Sequence, residues 1–158
     1  MPSQSAVAAW TRIVRASRSV VGAIEGDVKE AGFPPLSWYD VLLELSRAPD
    51  GRLSPGDLES RTLFAQYNLS RLVDRLEAEK LVRRVSYPGD KRRHFVEITG
   101  GGTALRETMW PIYAAAIERR LGALLSEEEA GMLAKLLDRI IRPSSAGTGS
   151  LKAPDASG

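Results

Sequence analysis

Nine cations fall between Arg61 and His94: Arg61, Arg71, Arg75, Lys80, Arg83, Arg84, Lys91, Arg92 and Arg93. Only four acids accompany them, Asp74, Glu77, Glu79 and Asp90. The chain as a whole carries +2, so this surplus of five leaves the remainder at −3. A positive charge concentrated in one segment is the footprint expected on a phosphate backbone. Two groups within it have side chains suited to that partner. In the first, an apolar stripe of Leu69, Leu72, Val73 and Leu76 at helical spacing turns Tyr67, Asn68, Ser70, Arg71, Asp74 and Arg75 outward. Arg71 suits a bidentate pair with guanine, and Gln66 or Asn68 the same with adenine, each worth ~1–3 kcal/mol of discrimination. Tyr67, Ser70 and Arg75 are better suited to phosphate. The plainer alternative is a solvated helix face, with Arg71 paired to Asp74 or Arg75 to Glu79. The second group, Lys91-Arg92-Arg93, follows a tight turn and holds three adjacent cations that repel unless something negative neutralises them. A narrow minor groove does so, because its negative potential attracts arginine. Asp90 is expected to orient Arg92, or an arginine of the preceding helix, by an ion pair.

Other chemistries find little support. With no cysteine, disulfides, thiolate metal sites, a cysteine nucleophile and thiol redox sensing are excluded. His94 is the one histidine and stands beside Arg92 and Arg93, with no second histidine to complete a catalytic or metal cluster. No carboxylate pair or histidine cluster has metal-ligand spacing, so no catalytic residue, metal or cofactor is expected. No aromatic platform interleaves the cations as single-stranded RNA would require. The first residues do not read as a signal peptide and no run of ~20 apolar residues occurs, so neither export nor a membrane span is expected, and a cytoplasmic location is.

The elements that must position these residues are mostly helical. Residues 5–31 read as one long helix with a seam of Val7, Trp10, Val14, Ser17, Val21, Ile24 and Val28, stopped by Gly32 and Pro34-Pro35. Gly22 and Gly26 would let another helix approach it closely. A second helix is expected from Ser37 as its N-cap, with Asp40 three residues on and Trp38, Val41, Leu42 and Leu45 buried. Pro49-Asp50-Gly51 turns the chain, and Ser54-Pro55-Gly56-Asp57 opens a short third helix ending near Arg61 or Thr62. A fourth helix is expected over residues 66–79. Residues 81–87 and 93–98 read as strands joined by Pro88-Gly89-Asp90. A helix with Leu105, Met109, Ile112 and Ala116 follows, which Pro111 should kink. Ser126 with Glu129 forms a capping box opening a last helix of apolar pairs, Met132/Leu133, Leu136/Leu137 and Ile140/Ile141. Residues 143–158 are small and polar, and disorder is expected there.

Helix, helix, short turn, helix, then a basic hairpin is the order of a winged helix-turn-helix, in which one helix enters the major groove. The fold class is therefore mainly α (α+β), a winged helix-turn-helix with a two- or three-stranded wing between long N- and C-terminal dimerisation helices. The division expected is an N-terminal dimerisation helix (1–35), a DNA-binding lobe (36–98), C-terminal dimerisation helices (99–142) and a tail (143–158). The alternative is a winged-helix module that binds protein, which would expose an apolar patch in place of the basic surface.

Leu69-Ser70-Arg71-Leu72-Val73-Asp74-Arg75-Leu76-Glu77, Leu81-Val82-Arg83-Arg84, Asp90-Lys91-Arg92-Arg93 and Ile98-Thr99 strongly resemble the MarR family, with the Asp-x-Arg of Asp90 and Arg92 the most specific part. The resemblance covers roughly residues 5–142. It implies a homodimer with interlocked terminal helices, a pseudo-palindromic double-stranded DNA operator and, by default for the family, repression relieved by a small, often aromatic, acid. It also implies an effector pocket lined by the first two helices, where Trp38 would stack on the ligand and Arg15 or Arg18 would pair with its carboxylate. Trp10 and Trp110 are expected at packing interfaces. The family commonly continues Leu-Thr-Glu-Lys-Gly after the wing. Here Ile98-Thr99-Gly100-Gly101-Gly102 stands instead, and an unusually loose hinge is expected.

Overall fold

A 27-residue helix, α1 (Gln4–Glu30), opens the chain in the computed structural model, which describes residues 1–64 and 68–141. Ser3 caps it by accepting the Ala6 N–H. Only Ile24 and Val28 of the expected seam are buried, while Val7, Trp10 and Val21 stand in solvent. Gly22 and Gly26 have nothing within 4 Å of where a Cβ would sit, so no close helix approach occurs there within one protomer.

The second helix, α2 (Leu36–Arg47), begins two residues earlier than a cap at Ser37 implies and is not capped by Ser37. Pro35 occupies the cap position, and the Leu36 N–H is met by the Glu25 carboxylate of α1 at 3.3 Å. A carboxylate from a neighbouring helix thus satisfies the end, and Ser37 is left buried inside the first turn. After a turn of 3-10 helix (Pro49–Gly51) and a two-residue strand, β1 (Arg52–Leu53), the third helix α3 (Pro55–Arg61) is capped by Ser54 as its sequence implies. The fourth helix, α4 (Leu69–Ala78), is shorter than expected because Asn68 caps it, accepting the Arg71 N–H. Gln66 and Tyr67 lie outside the described residues.

Two longer strands follow, β2 (Val82–Tyr87) and β3 (Asp90–Ile98), the latter beginning three residues earlier than expected. The antiparallel sheet has the order β1-β3-β2. Pairing Val82 with Ile98 and Arg84 with Val96 puts these residues on one face, toward the helices. The opposite face carries Arg83, Phe95 and Glu97. Next comes α5 (Gly100–Arg120), continuous through Pro111, and after a short 3-10 turn α6 (Glu127–Asp138), opened by the Ser126–Glu129 capping box. None of α6 is buried, and Met132, Leu133 and Leu136 present their apolar surface to solvent. The expected tail at 143–158 lies outside the described residues.

Two apolar clusters make the core, and α2 faces both. Val41, Leu42 and Leu45 pack with Leu58, Leu72, Val73, Leu76, Val82 and Val96. Leu36, Tyr39 and Leu43 pack with Ile24 and Val28 of α1 and Met109, Tyr113 and Ala116 of α5. In this second cluster Tyr39 meets the Tyr113 ring edge-on at 5.1 Å, with Trp110 half-buried beside both. Asp27 of α1 binds Arg119 at 3.1 Å and Arg120 at 2.6 Å, tying the C-terminal ends of α1 and α5.

The junction after the wing is not the loose hinge expected. Thr99 caps α5 by accepting the Gly102 N–H, donates its hydroxyl to the Lys80 carbonyl at 2.7 Å, and gives its backbone N–H to the Leu81 carbonyl at 3.0 Å. A Cβ on Gly102 would lie 2.2 Å from that same Leu81 carbonyl oxygen and 2.8 Å from Ile98. The glycine is a point of close approach, and the carbonyl it meets is already fixed by a hydrogen bond. Gly102→Ala is therefore expected to cost ~2–3 kcal/mol in denaturant unfolding at fixed protomer concentration. Gly100→Ala, with nothing within 4 Å, should change stability by less than about 0.5 kcal/mol or raise it; equal losses would contradict this packing.

The Asp27 pair gives a second expectation. Its hydrogen bond to Arg120, then that to Arg119, hold the carboxyl down to about 2 against an ordinary 3.8. A depressed carboxyl stabilises the fold above its unfolded pKa, and that contribution fades as pH falls toward the folded one. Asp27→Asn should thus be less stable than the wild type at pH 7, and the two should converge between about pH 4 and pH 2 in thermal unfolding.

Candidate nucleic-acid interface

The outward face of α4 and the β2–β3 turn form one surface because a single side chain joins them. Arg84 of β2 points inward to α4, where it binds Asp74 at 2.6 Å and Glu77 at 2.8 Å. Its backbone N–H also donates to Glu77 at 3.0 Å. The guanidinium is held in its charged form against partial desolvation by these two carboxylates, which raise its pKa. Both central acids of α4 are thereby neutralised from the wing side. Asp74 is exposed, as expected, but it is bound to Arg84 and not to Arg71.

This leaves the face cationic. Asn68, Ser70, Arg71 and Arg75 are exposed, and among the described residues neither Arg71 nor Arg75 has an ion-pair partner. The expected pairings Arg71–Asp74 and Arg75–Glu79 do not form. Asn68 is at the outer end of α4, but its side-chain oxygen accepts the Arg71 N–H at 3.2 Å. A bidentate adenine contact needs that oxygen, so capping competes with base reading at Asn68. Ser70 lines a cleft of about 250 Å3 between α3, α4 and the sheet, together with Pro55, Gly56, Arg84 and His94.

On the wing, Asp90 accepts the backbone N–H of Arg92 at 3.0 Å. This is the expected orienting contact in altered form: it fixes the turn through the backbone, and no Asp90 ion pair occurs among the described residues. Lys91 and Arg92 are exposed. Arg93 is also exposed, but its guanidinium lies over the Tyr87 ring at 4.7 Å, and Tyr87 stacks on Phe95 at 3.9 Å. Arg52 covers Phe95 from β1 at 5.5 Å and reaches Glu97 at 3.6 Å, while Arg83 binds Glu97 from the other side. Contrary to the expectation from sequence, rings do interleave the cations here: the outer face of the sheet is a braced strip with Arg93 over Tyr87 and Arg52 over Phe95. It stiffens the base of the turn that carries Lys91 and Arg92.

The proposed effector residues are not brought together in the protomer. Trp38 packs half-buried against the first core cluster, whereas Arg15 and Arg18 are exposed on α1 ahead of its first buried residue, Ile24.

Two residues that matter to the interface escaped the sequence reading. Arg84 counted only as one more cation, and its inward direction follows from strand alternation next to Val82, the buried neighbour on the same face. Asp40 was taken as an adjunct of a Ser37 cap. It is buried and accepts backbone N–H groups from Leu63 at 2.7 Å and Phe64 at 3.2 Å. Burial lifts its carboxyl to about 6, against the lowering effect of those donors. The available signal was its spacing, since residues 36, 40 and 43 share one buried helix face.

Comparison with known proteins places this architecture. A sequence profile of the MarR family matches residues 31–93. The HTH-type transcriptional repressor NicR of Pseudomonas putida is 33% identical over 119 residues, covering 75% of each chain. Among solved structures, AbsC, a MarR family transcriptional regulator from Streptomyces coelicolor, superposes with a TM-score of 0.76 at 26% identity, over 89% of this chain and 94% of that one. BpsR of Bordetella bronchiseptica, whose DNA binding is regulated by 6-hydroxynicotinic acid, gives 0.70 at 25% identity, over 81% and 89%.

Proposed function

Because the chain belongs to the MarR family of transcriptional regulators, we propose that it acts in the cytoplasm as a homodimeric repressor that binds a pseudo-palindromic double-stranded DNA operator. Each α4 enters a major groove, and each β2–β3 turn places Arg92 in the flanking minor groove. The observation that carries this reading is the charge arrangement around Arg84. By taking up Asp74 and Glu77 it leaves Arg71 and Arg75 facing outward without a partner among the described residues. An unpaired cationic helix face beside a cationic turn fits phosphate and guanine. Arg71 reads bases. Ser70 and Arg75 set the register on phosphate, and Lys91 and Arg93 add charge at the wing. Gln66 and Tyr67 stay assigned to the same interface from their place in the chain, just ahead of the Asn68 cap.

The dimer is supported by the bare apolar surfaces of α1 and α6. Val7, Trp10, Met132 and Leu136 are too many large apolar side chains to leave in water on two helices that bury so little else. Likeness to BpsR supports release of DNA by a small aromatic acid. Trp38, Arg15 and Arg18 remain its proposed contacts, brought into one pocket only by dimer assembly.

The test is fluorescence anisotropy on a duplex selected from a random pool. Affinity should fall by roughly 10³–10⁵ between about 50 and 200 mM salt if six to ten phosphates are neutralised. Arg71→Ala should cost about 1–3 kcal/mol on the selected sequence and relax preference at one base pair. Arg92→Ala should weaken binding and reduce the salt slope. If no sequence is enriched and neither substitution alters binding, the winged helix serves a protein partner instead.

A further inference from the structure

The approach to α4 is held from the core. Asp40, 4% exposed, places one oxygen, Oδ2, within hydrogen-bonding distance of two successive N–H groups, those of Leu63 and Phe64. Phe64 stands four positions before Asn68, the α4 cap, and its ring packs on the second apolar cluster with α1, α2 and α5. One backbone stretch is therefore fixed twice, by a carboxylate of α2 and by a ring set in the helical layer. A buried carboxylate is a costly group to keep, and an apolar side chain would pack α2 at least as well. What the carboxylate supplies, and an apolar residue does not, is one acceptor shared by two successive N–H groups, which fixes the backbone there.

We propose that Asp40 is a positioning residue for DNA binding, its carboxylate latching the Leu63–Phe64 backbone so that α4 meets the major groove at a fixed angle to the helical layer. This rests on the DNA-binding reading above and adds to it a group that never touches DNA. The latch joins the two lobes: α2 and Phe64 belong to the layer shared with α5, while the chain beyond Phe64 leads to α4. The charged and titratable groups facing Asp40 are Glu44 and Arg47 on its own helix, Tyr113 on α5 and Glu59 on α3. Burial raises Glu44 as well, so the region carries two carboxyls that favour protonation more than exposed ones do. A protonated Asp40 makes neutral hydrogen bonds in place of charge-assisted ones, which loosens the latch as pH falls through about 6.

The experiment compares the wild type, Asp40→Asn and Asp40→Ala on the selected duplex from pH 5 to pH 8, with the binding-competent fraction fixed by stoichiometric titration. At pH 8, Asp40→Asn, which keeps an acceptor, should bind about fivefold more weakly than the wild type, and Asp40→Ala at least about tenfold more weakly. Salt slopes should be unchanged, since no phosphate contact is lost. As pH falls to 5 the ratio of wild type to Asp40→Asn should approach one. Any other pH-dependent group is common to both proteins and cancels in the ratio. A ratio that stays constant with pH, or equal affinity for all three proteins at pH 8, overturns the proposal, and Asp40→Asn decides it even where Asp40→Ala fails to fold. Absence of wild-type binding at every pH would instead overturn the DNA-binding reading itself.

Discussion

Nine of the twelve residues of α2 are buried, and they are buried in two directions. Val41, Leu42 and Leu45 close the core beneath α4 and the sheet, while Leu36, Tyr39 and Leu43 close the core beneath α1 and α5. A helix exposed on one side could shift relative to its neighbours at small cost. One packed on both sides cannot, because fully burying each large aliphatic chain is worth about 1.5–3 kcal/mol and any tilt opens voids in both clusters. The shared wall fixes where the reading surface stands relative to the long helices. A change of helix spacing therefore reaches α4.

Charge is distributed in keeping with this frame. Five acids near the interface are spent on bracing: Asp74 and Glu77 on Arg84, Glu97 between Arg52 and Arg83, Asp90 on the Arg92 backbone, Asp40 on the chain ahead of α4, whereas Glu59 and Glu79 stay exposed. The cations left over, Arg71, Arg75, Lys91 and Arg92, point to solvent. Each such pairing does two things. It rigidifies the support, and it removes a negative charge from a surface that must approach phosphates. A merely basic segment and a nucleic-acid interface differ in this sorting.

Features set by neighbours in sequence were legible without a structure. The Ser54-Pro55 start of α3 and the Ser126–Glu129 box of α6 appear where their residues imply, because capping is decided within four residues. The stripe Leu72, Val73 and Leu76 is likewise buried as its spacing implies. Features set by a distant partner were not. Ser37 looked like a cap until Glu25, eleven residues before Leu36, supplied the acceptor for the Leu36 N–H. Asp40 looked like part of that cap until its partners proved to be Leu63 and Phe64. The glycine run after the wing suggested looseness, yet Gly102 is required by contact with Leu81 and Ile98. The basic face was legible as composition, and the pairing that leaves Arg71 and Arg75 open was not, since it depends on which way Arg84 faces. The apolar pairs of α6 were legible as a stripe, but a single protomer offers them no cover.

The central claim is that two copies of one rigid reading surface, an α4 with its wing, meet a duplex together. Hydroxyl-radical footprinting of the protein on its selected duplex tests this most directly. The account predicts two symmetry-related protected patches, centred about 10 bp apart or a multiple of that, each flanked on its outer side by minor-groove protection that Arg92→Ala removes. A single asymmetric patch, or protection confined to the major groove and unaffected by Arg92→Ala, would contradict it.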